Sequence, residues 1–400
     1  MARYEAVDVD DDQQLRGVDG SVPPDGDGNF ALANFIARWG GHATHDLSAS
    51  ESATLPLSAL LAMADADDLV RWEQLDFGYA SPYGASWLRA AIAARYSGLD
   101  IANVVCCAGA QEGVTSVMRG LLGPADHAVV VVPVYQPLEQ AVTSIGAATG
   151  VGLRAADKWQ PDVGAIAASI RPETKLVLIN FPNSPTGAGI DPGVLESLVA
   201  LCRRRGLWLV NDEVYRSTGS DPAAYPPAVA TIYERGISID ALSKGFGLPG
   251  LRVGWVVCRD QSVLARVLLA KSALSSYLAT PSEVLAHIAL KAEGRIVARN
   301  RAIAEANRSL LLALLQRHSD LFEAPVPSDG VLAFPRYRGV EGADRFAQRL
   351  VLEAGVLVMP SSLWHSPLAA VPSDRLRIGL GKVEAVSALA ALDAYLALRR

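Results

Sequence analysis

Cysteine is scarce in this chain, and so is any pattern that would make it structural. Four cysteines occur in 400 residues, at positions 106, 107, 202 and 258. All four sit inside apolar runs and no pair has zinc-ligand spacing with histidine nearby, so we expect buried reduced thiols and neither a disulfide framework nor a metal centre. Long apolar runs are also missing, and the N-terminus MARYEAVDVDDDQQ is acidic and polar, without the basic and then apolar order of a signal peptide. The expectation is a cytoplasmic protein with no membrane partner. Positive charge is not in excess: 36 Lys and Arg stand against 42 Asp and Glu, for a net charge of −6, and no basic stripe is visible. That balance argues against nucleic acid as a partner. Repeats and low-complexity tracts are absent too, and residues 1–45 are too short and too acidic to hold a helix-turn-helix.

What is present is apolar and periodic. Half of the residues are hydrophobic, far more than one small core needs, so two domains are the default. The middle of the chain alternates the runs VVCCAG, AVVVVP, KLVLINF, LWLVND, ISIDAL and VGWVVC with helical stretches. Continuous β-branched runs imply strands covered on both faces. This reads as an α/β fold, a mostly parallel sheet with helices on both faces, followed by a smaller α+β domain. The expected boundaries are 1–45 for an N-terminal arm and docking helix, 46–290 for the large domain and 291–400 for the small one. Residues 1–28, rich in Asp, Gly and Pro, bury little and predict a mobile arm. Leu32, Phe35, Ile36 and Trp39 recur at helical spacing, and their face must dock either on the chain's own body or on a partner subunit.

The stretch 236–257, GISIDALSKGFGLPGLRVGWVV, reads as strand, exposed lysine, glycine loop, strand. A lysine at the end of a buried strand can be held neutral and nucleophilic, able to form a Schiff base with an aldehyde, and Arg252 eight residues on could grip a phosphate. Ser243, Lys244, Gly247, Gly250, Leu251, Arg252 and Gly254 resemble the lysine segment of fold type I pyridoxal-phosphate enzymes, in particular the class I/II aminotransferase family. The resemblance implies that Lys244 joins the cofactor pyridoxal 5'-phosphate, that Arg252 binds its phosphate and that Ser243 is a further cofactor contact.

Other positions resemble the same family in the same order. Gly109, Ala110 and Gln111 match its phosphate cup, where a helix start offers free N–H groups. Tyr135 matches the aromatic that stacks on the pyridine ring. Asp212 and Tyr215 match the carboxylate that keeps the ring nitrogen protonated and the tyrosine that bonds the ring oxygen. Arg377, in RLRIG, matches the arginine that takes the substrate carboxylate through a bidentate fork, with Arg375 as a solvent-facing neighbour. The stretch HDLSASES resembles the family's first active-site loop, which borders the substrate pocket, and this makes Glu51 a candidate substrate-binding residue. Tyr79 matches the tyrosine that reaches the neighbouring subunit's cofactor, which implies a homodimer with shared active sites.

Two departures stand out. The family's Asn-Pro-Thr-Gly reads Ser184-Pro185-Thr186-Gly187 here, so serine replaces the asparagine that bonds the ring oxygen, with Asn183 adjacent as a possible substitute. Ala241 stands three residues before the lysine, where a serine or threonine often touches phosphate. The resemblance implies an enzyme that binds an L-amino acid through the cofactor and forms a carbanion at its alpha carbon, first of all an aminotransferase. Some segments also resemble capreomycidine-synthase-like biosynthetic enzymes, which implies elimination or cyclisation as the alternative. A cofactor-binding regulator is the alternative outside enzymes.

Overall fold

The structure, a computed structural model, describes residues 30–219, 225–323 and 330–398. The expected loose arm over 1–28 lies outside these residues. After a short β1 (His45–Asp46), seven strands follow in the chain: β2 (Val104–Cys107), β3 (His127–Val132), β4 (Ala147–Gly152), β5 (Thr174–Asn180), β6 (Trp208–Asp212), β7 (Gly236–Ala241) and β8 (Gly254–Cys258). They form one sheet in the order β2-β8-β7-β6-β5-β3-β4, in which β8 alone runs against its neighbours.

The β-branched runs are what let this sheet be buried twice. Val105, Val130, Leu178, Val210 and Ile239 pack under helices Ala110–Leu121 and Gln261–Ser272. Val129, Val177, Ile179 and Leu209 face the opposite way, onto helix Pro192–Arg205, while Val104, Trp255 and Val257 meet helices Ser86–Ala93 and Thr280–Lys291. Helix Pro192–Arg205 shows how sharply sequence sets such an element. Asp191 caps it by accepting from the Gly193 and Val194 N–H groups, Pro192 opens it, and Gly206 closes it at φ 67°.

The strand expected from each of the six apolar runs is present, but β4 was not among them. Its sequence AATGVG has a single β-branched apolar residue and lies at the sheet edge. Glycine is needed there: a Cβ at Gly150 would lie 2.7 Å from the Leu368 Cβ. The pattern was set by the neighbour, not by strand propensity.

The remaining strands are short: β9 (Phe322–Glu323), β10 (Leu332–Ala333), β11 (Arg336–Tyr337), β12 (Val356–Leu357), β13 (Met359–Pro360) and β14 (Leu376–Gly379). β10-β14-β13 is antiparallel, as is β11-β9, whereas β1 pairs in parallel with β12. The 25-residue helix Glu293–Arg317 ties the two regions together. Its Ala304 packs with Tyr215 and Ala241, and its Leu311, Leu314 and Leu315 enter the C-terminal core. Helix Ala31–Trp39 docks on the chain's own body, with Leu32 and Phe35 in that same core. Among the described residues no helix is long and apolar enough to cross a membrane.

Candidate active site

Gly109, Tyr135, Asn183 and Lys244 follow the carboxyl ends of β2, β3, β5 and β7, and Asp212 closes β6, so parallel strand direction alone brings these residues to one edge of the sheet. Gly109 has φ 87° and starts helix Ala110–Leu121 with no side chain capping it. The Arg252 guanidinium lies against this start, with Nη2 3.4 Å from the Ala108 carbonyl oxygen, and a Cβ at Gly109 would collide with it. A Cβ at Gly254 would come within 2.6 Å of the Ala110 nitrogen. Uncapped N–H groups beside a guanidinium make an anion site. The Gln111 side chain turns from it to the Pro137 carbonyl at 3.3 Å.

Asp212 is buried, and burial pushes its carboxyl up to about 7; the Val214 N–H and the Lys244 charge oppose this, and the Glu213 charge adds to it. Its Oδ1 accepts from the Val214 N–H at 3.2 Å. A carboxylate placed so deep calls for a cation beside it. Lys244 sits half-buried beside Ser243 in the turn after β7. Its Nζ donates to the Ser50 hydroxyl at 2.7 Å and stands 5.7 Å from the ring centroid of the buried Tyr215.

Asn183 and Ser184 have different surroundings. The Asn183 amide donates to the Pro133 and Asn180 carbonyls at 3.2 and 3.3 Å. Its oxygen accepts from the Thr186 N–H and hydroxyl at 3.2 and 2.7 Å. That uses two donors and two acceptor sites, the whole capacity of a carboxamide. Ser184 is buried next to it, its N–H donating to Asn180 Oδ1 at 3.0 Å.

From the C-terminal region β14 brings Arg377, which is 3% exposed. Its Nη2 donates to the Ser48 carbonyl at 2.5 Å, its Cζ lies 4.8 Å from the Trp364 ring centroid, and its Nε is buried with no hydrogen-bond partner. Burial pushes this guanidinium's pKa down, while Tyr215, Glu51, Asp46 and Tyr135 push it back. Arg375 does not face solvent as expected: it is 6% exposed, with its Cζ 4.8 Å from the Trp159 ring centroid. Burial would raise the Glu51 carboxyl, but the Lys382 hydrogen bond and the charges of Lys244 and Lys382 hold it below the ordinary value. The pair itself is 2.7 Å apart.

The Tyr135 hydroxyl is raised first by burial; Tyr215 and Asp212 act in the same direction, and Arg252 and Arg377 oppose them. One electrostatic neighbourhood therefore holds residues from both regions. Phe30 meets the Tyr135 ring edge-on at 5.6 Å. Tyr79 lies outside this cluster, 89% exposed, with its ring 4.7 Å from that of Tyr277. Ser50 and Phe30 were not singled out by sequence reasoning. A serine among the serines of HDLSASES carries no local signal, and its importance comes only from the chain folding back 194 residues.

A flat ring with a protonated nitrogen and an anionic tail suits the anion site and the buried Asp212 carboxylate together. Pyridoxal phosphate has that chemistry, so the residues present fit it.

Comparison with known proteins follows the same line. The family model for aminotransferase class I and II matches residues 46–391. Capreomycidine synthase of Streptomyces vinaceus is 30% identical over 310 residues, covering 77% of each chain. Among solved structures, a PLP-dependent aminotransferase from Streptococcus suis superposes with a TM-score of 0.85 at 25% identity, covering 92% of this chain and 98% of that one. The PLP-dependent cyclase OrfR gives a TM-score of 0.83 at 26% identity, with coverage of 95% and 100%.

Proposed function

The chain belongs to the class I and II aminotransferase family, and from that premise we propose what each of its residues does. The protein is a pyridoxal-phosphate-dependent enzyme of fold type I. When bound, the cofactor supplies an electron sink for the alpha carbon of an amino acid. Lys244 is the residue that holds it covalently. Arg252, Ser243 and the N–H groups of Gly109, Ala110 and Gln111 hold its phosphate; Tyr135 covers its ring, Asp212 keeps the ring nitrogen protonated, and Tyr215 and Ser184 flank the ring oxygen. Asn183 holds the loop that carries Ser184, its own amide being fully engaged. Arg377, whose buried Nε has no hydrogen-bond partner of its own, receives the carboxylate of an L-amino acid, and Glu51 borders the rest of the substrate. Lys244, once released, takes a proton from the alpha carbon and returns one.

The observation that carries this reading is the convergence of Lys244, Asp212, Arg252 and Arg377, four residues from separated parts of the chain, on one electrostatic neighbourhood. The reaction we assign first is amino-group transfer. It is tested by incubating the protein with amino acids alone: stoichiometric pyridoxamine phosphate, followed by turnover with 2-oxoglutarate or pyruvate, is the expected result. A second reading, elimination or cyclisation, is favoured by the engaged Asn183, which leaves only a serine where the family has an asparagine. Product formed from an amino acid with a beta or gamma leaving group, with no keto acid and no pyridoxamine phosphate, would replace the first reading by the second.

We also infer a homodimer, supported by Phe77 and Tyr79 standing 87% and 89% exposed, with the Tyr79 ring against that of Tyr277. The four buried free cysteines support a cytoplasmic setting. The division at residues 46 and 290 into arm, large domain and small domain stays part of this proposal.

A further inference from the structure

The amine of Lys244 has a partner supplied by a distant loop, and that loop is fixed with unusual thoroughness. Leu47 N–H donates to the Leu357 carbonyl at 2.9 Å, and the Leu47 carbonyl accepts from the Gly379 N–H at 2.7 Å. The Ser48 carbonyl is held by Arg377, and the Ser52 N–H donates to the Lys244 carbonyl at 3.0 Å. A Cβ at Gly379, Gly381 or Gly247 would run into the carbonyl of Ala49, Glu51 or Ala53 respectively. The backbone on either side of Ser50 therefore cannot slide, and its hydroxyl meets Lys244 Nζ at 2.7 Å.

We propose that Ser50 is a further catalytic residue, the hydrogen-bond acceptor that fixes the direction of the Lys244 amine whenever that amine is not joined to the cofactor. This rests on the reading of Lys244 as the proton-carrying amine. After Lys244 takes the alpha proton its Nζ is an ammonium with three donors. Ser50 Oγ accepts one of them, which stabilises the charge and restricts rotation while the proton is returned. Lys244 gains one proton and gives one back, Ser50 keeps its own, and nothing is oxidised or reduced. Because Arg377 holds Ser48, only two residues away, the carboxylate grip and the orientation of the amine meet on the same short loop.

The test uses the full chain with Ser50→Ala, Ser50→Gly and Ser50→Thr, and Lys244→Ala as reference. In cofactor-free protein, acylation of Lys244 by acetic anhydride is followed by peptide mass mapping. Loss of the hydroxyl in the Ala or Gly variant is expected to raise the Lys244 labelling rate relative to other lysines at least threefold, and Ser50→Thr to restore it. In loaded protein, alpha-hydrogen exchange of amino acids in heavy water should fall on the order of a hundredfold in maximal rate, with half-saturation unchanged. Labelling and exchange equal to wild type in whichever of Ser50→Ala and Ser50→Gly folds would overturn the role of Ser50. Exchange that survives in Lys244→Ala would instead overturn the reading of the lysine itself.

Discussion

At the scale of single residues, the carboxylate of Asp212 shows how burial, normally a penalty, is put to use. Its carboxyl is raised to about 7 chiefly by burial, and a cationic ring nitrogen placed beside it would pair with the charge and remove that penalty. Asp212→Asn keeps the shape and loses the charge. We expect it to bind cofactor and to lose about a thousandfold in turnover, about 4 kcal/mol of barrier; near-normal turnover would show that another group faces the ring nitrogen. The same shift has a stability consequence. A carboxyl with a folded value near 7, against an ordinary 3.8, binds more protons folded than unfolded between those limits. Its contribution is present in full below pH about 4 and is lost as pH rises to about 7. Cofactor-free wild-type protein should therefore lose more melting temperature than Asp212→Asn between pH 5 and 7.5, and loading with cofactor should shrink the difference. Asp240, raised to about 7 by the same cause and paired with Arg95 at 3.4 Å, is unchanged in the variant, so the comparison isolates Asp212. Equal slopes in the two proteins would contradict the assignment.

At the scale of elements, what could be read from sequence was what is local. Runs such as AVVVVP, and the step from an apolar strand into Ser243 and Lys244, carry their own period and breakers, so six strands and the parallel sheet were legible. β4 was not, because its Gly150 answers to Leu368 and its Gly152 to the Ala370 carbonyl, and its alanines and glycines have no strand propensity to display. Nor was the saturation of Asn183, which depends on carbonyls of Pro133 and Asn180 meeting one amide, nor Ser50, whose meaning appears only when β14 pins the loop over the lysine. Gly379 is the residue that lets β14 do so. Gly379→Ala would thrust a methyl group onto the Ala49 carbonyl, and because that atom is backbone the loop itself must shift. The expected cost is about 1–3 kcal/mol of stability, seen as a lower melting temperature. It should come with slower turnover even at saturating substrate, since Arg377 and Ser50 lose their register together. Wild-type stability in this variant would mean that the loop is freer than its contacts indicate.

At the scale of the whole molecule, one residue of the proposed site stands apart from the others. Lys244, Asp212, Arg252 and Arg377 share one neighbourhood, while Tyr79 stands on the outside, its ring beside Tyr277 and most of its surface in water. With Phe77 also exposed, this face exposes apolar ring surface that a second copy could cover. If Tyr79 of each subunit serves the other's site, two defective proteins can repair each other. A Tyr79→Phe chain supplies an intact Lys244 and a Lys244→Ala chain supplies an intact Tyr79, so a mixed dimer has one site with both defects and one with neither. When subunits assort at random, half of the dimers are mixed and each has one whole site, which returns about a quarter of full activity. Mixing after reversible dissociation, with activity followed as the dimers exchange, should therefore show a rise above the sum of the separate proteins. Light scattering that finds a fully active monomer, or mixing that adds nothing while mass analysis confirms mixed dimers, would place the function of Tyr79 within its own chain.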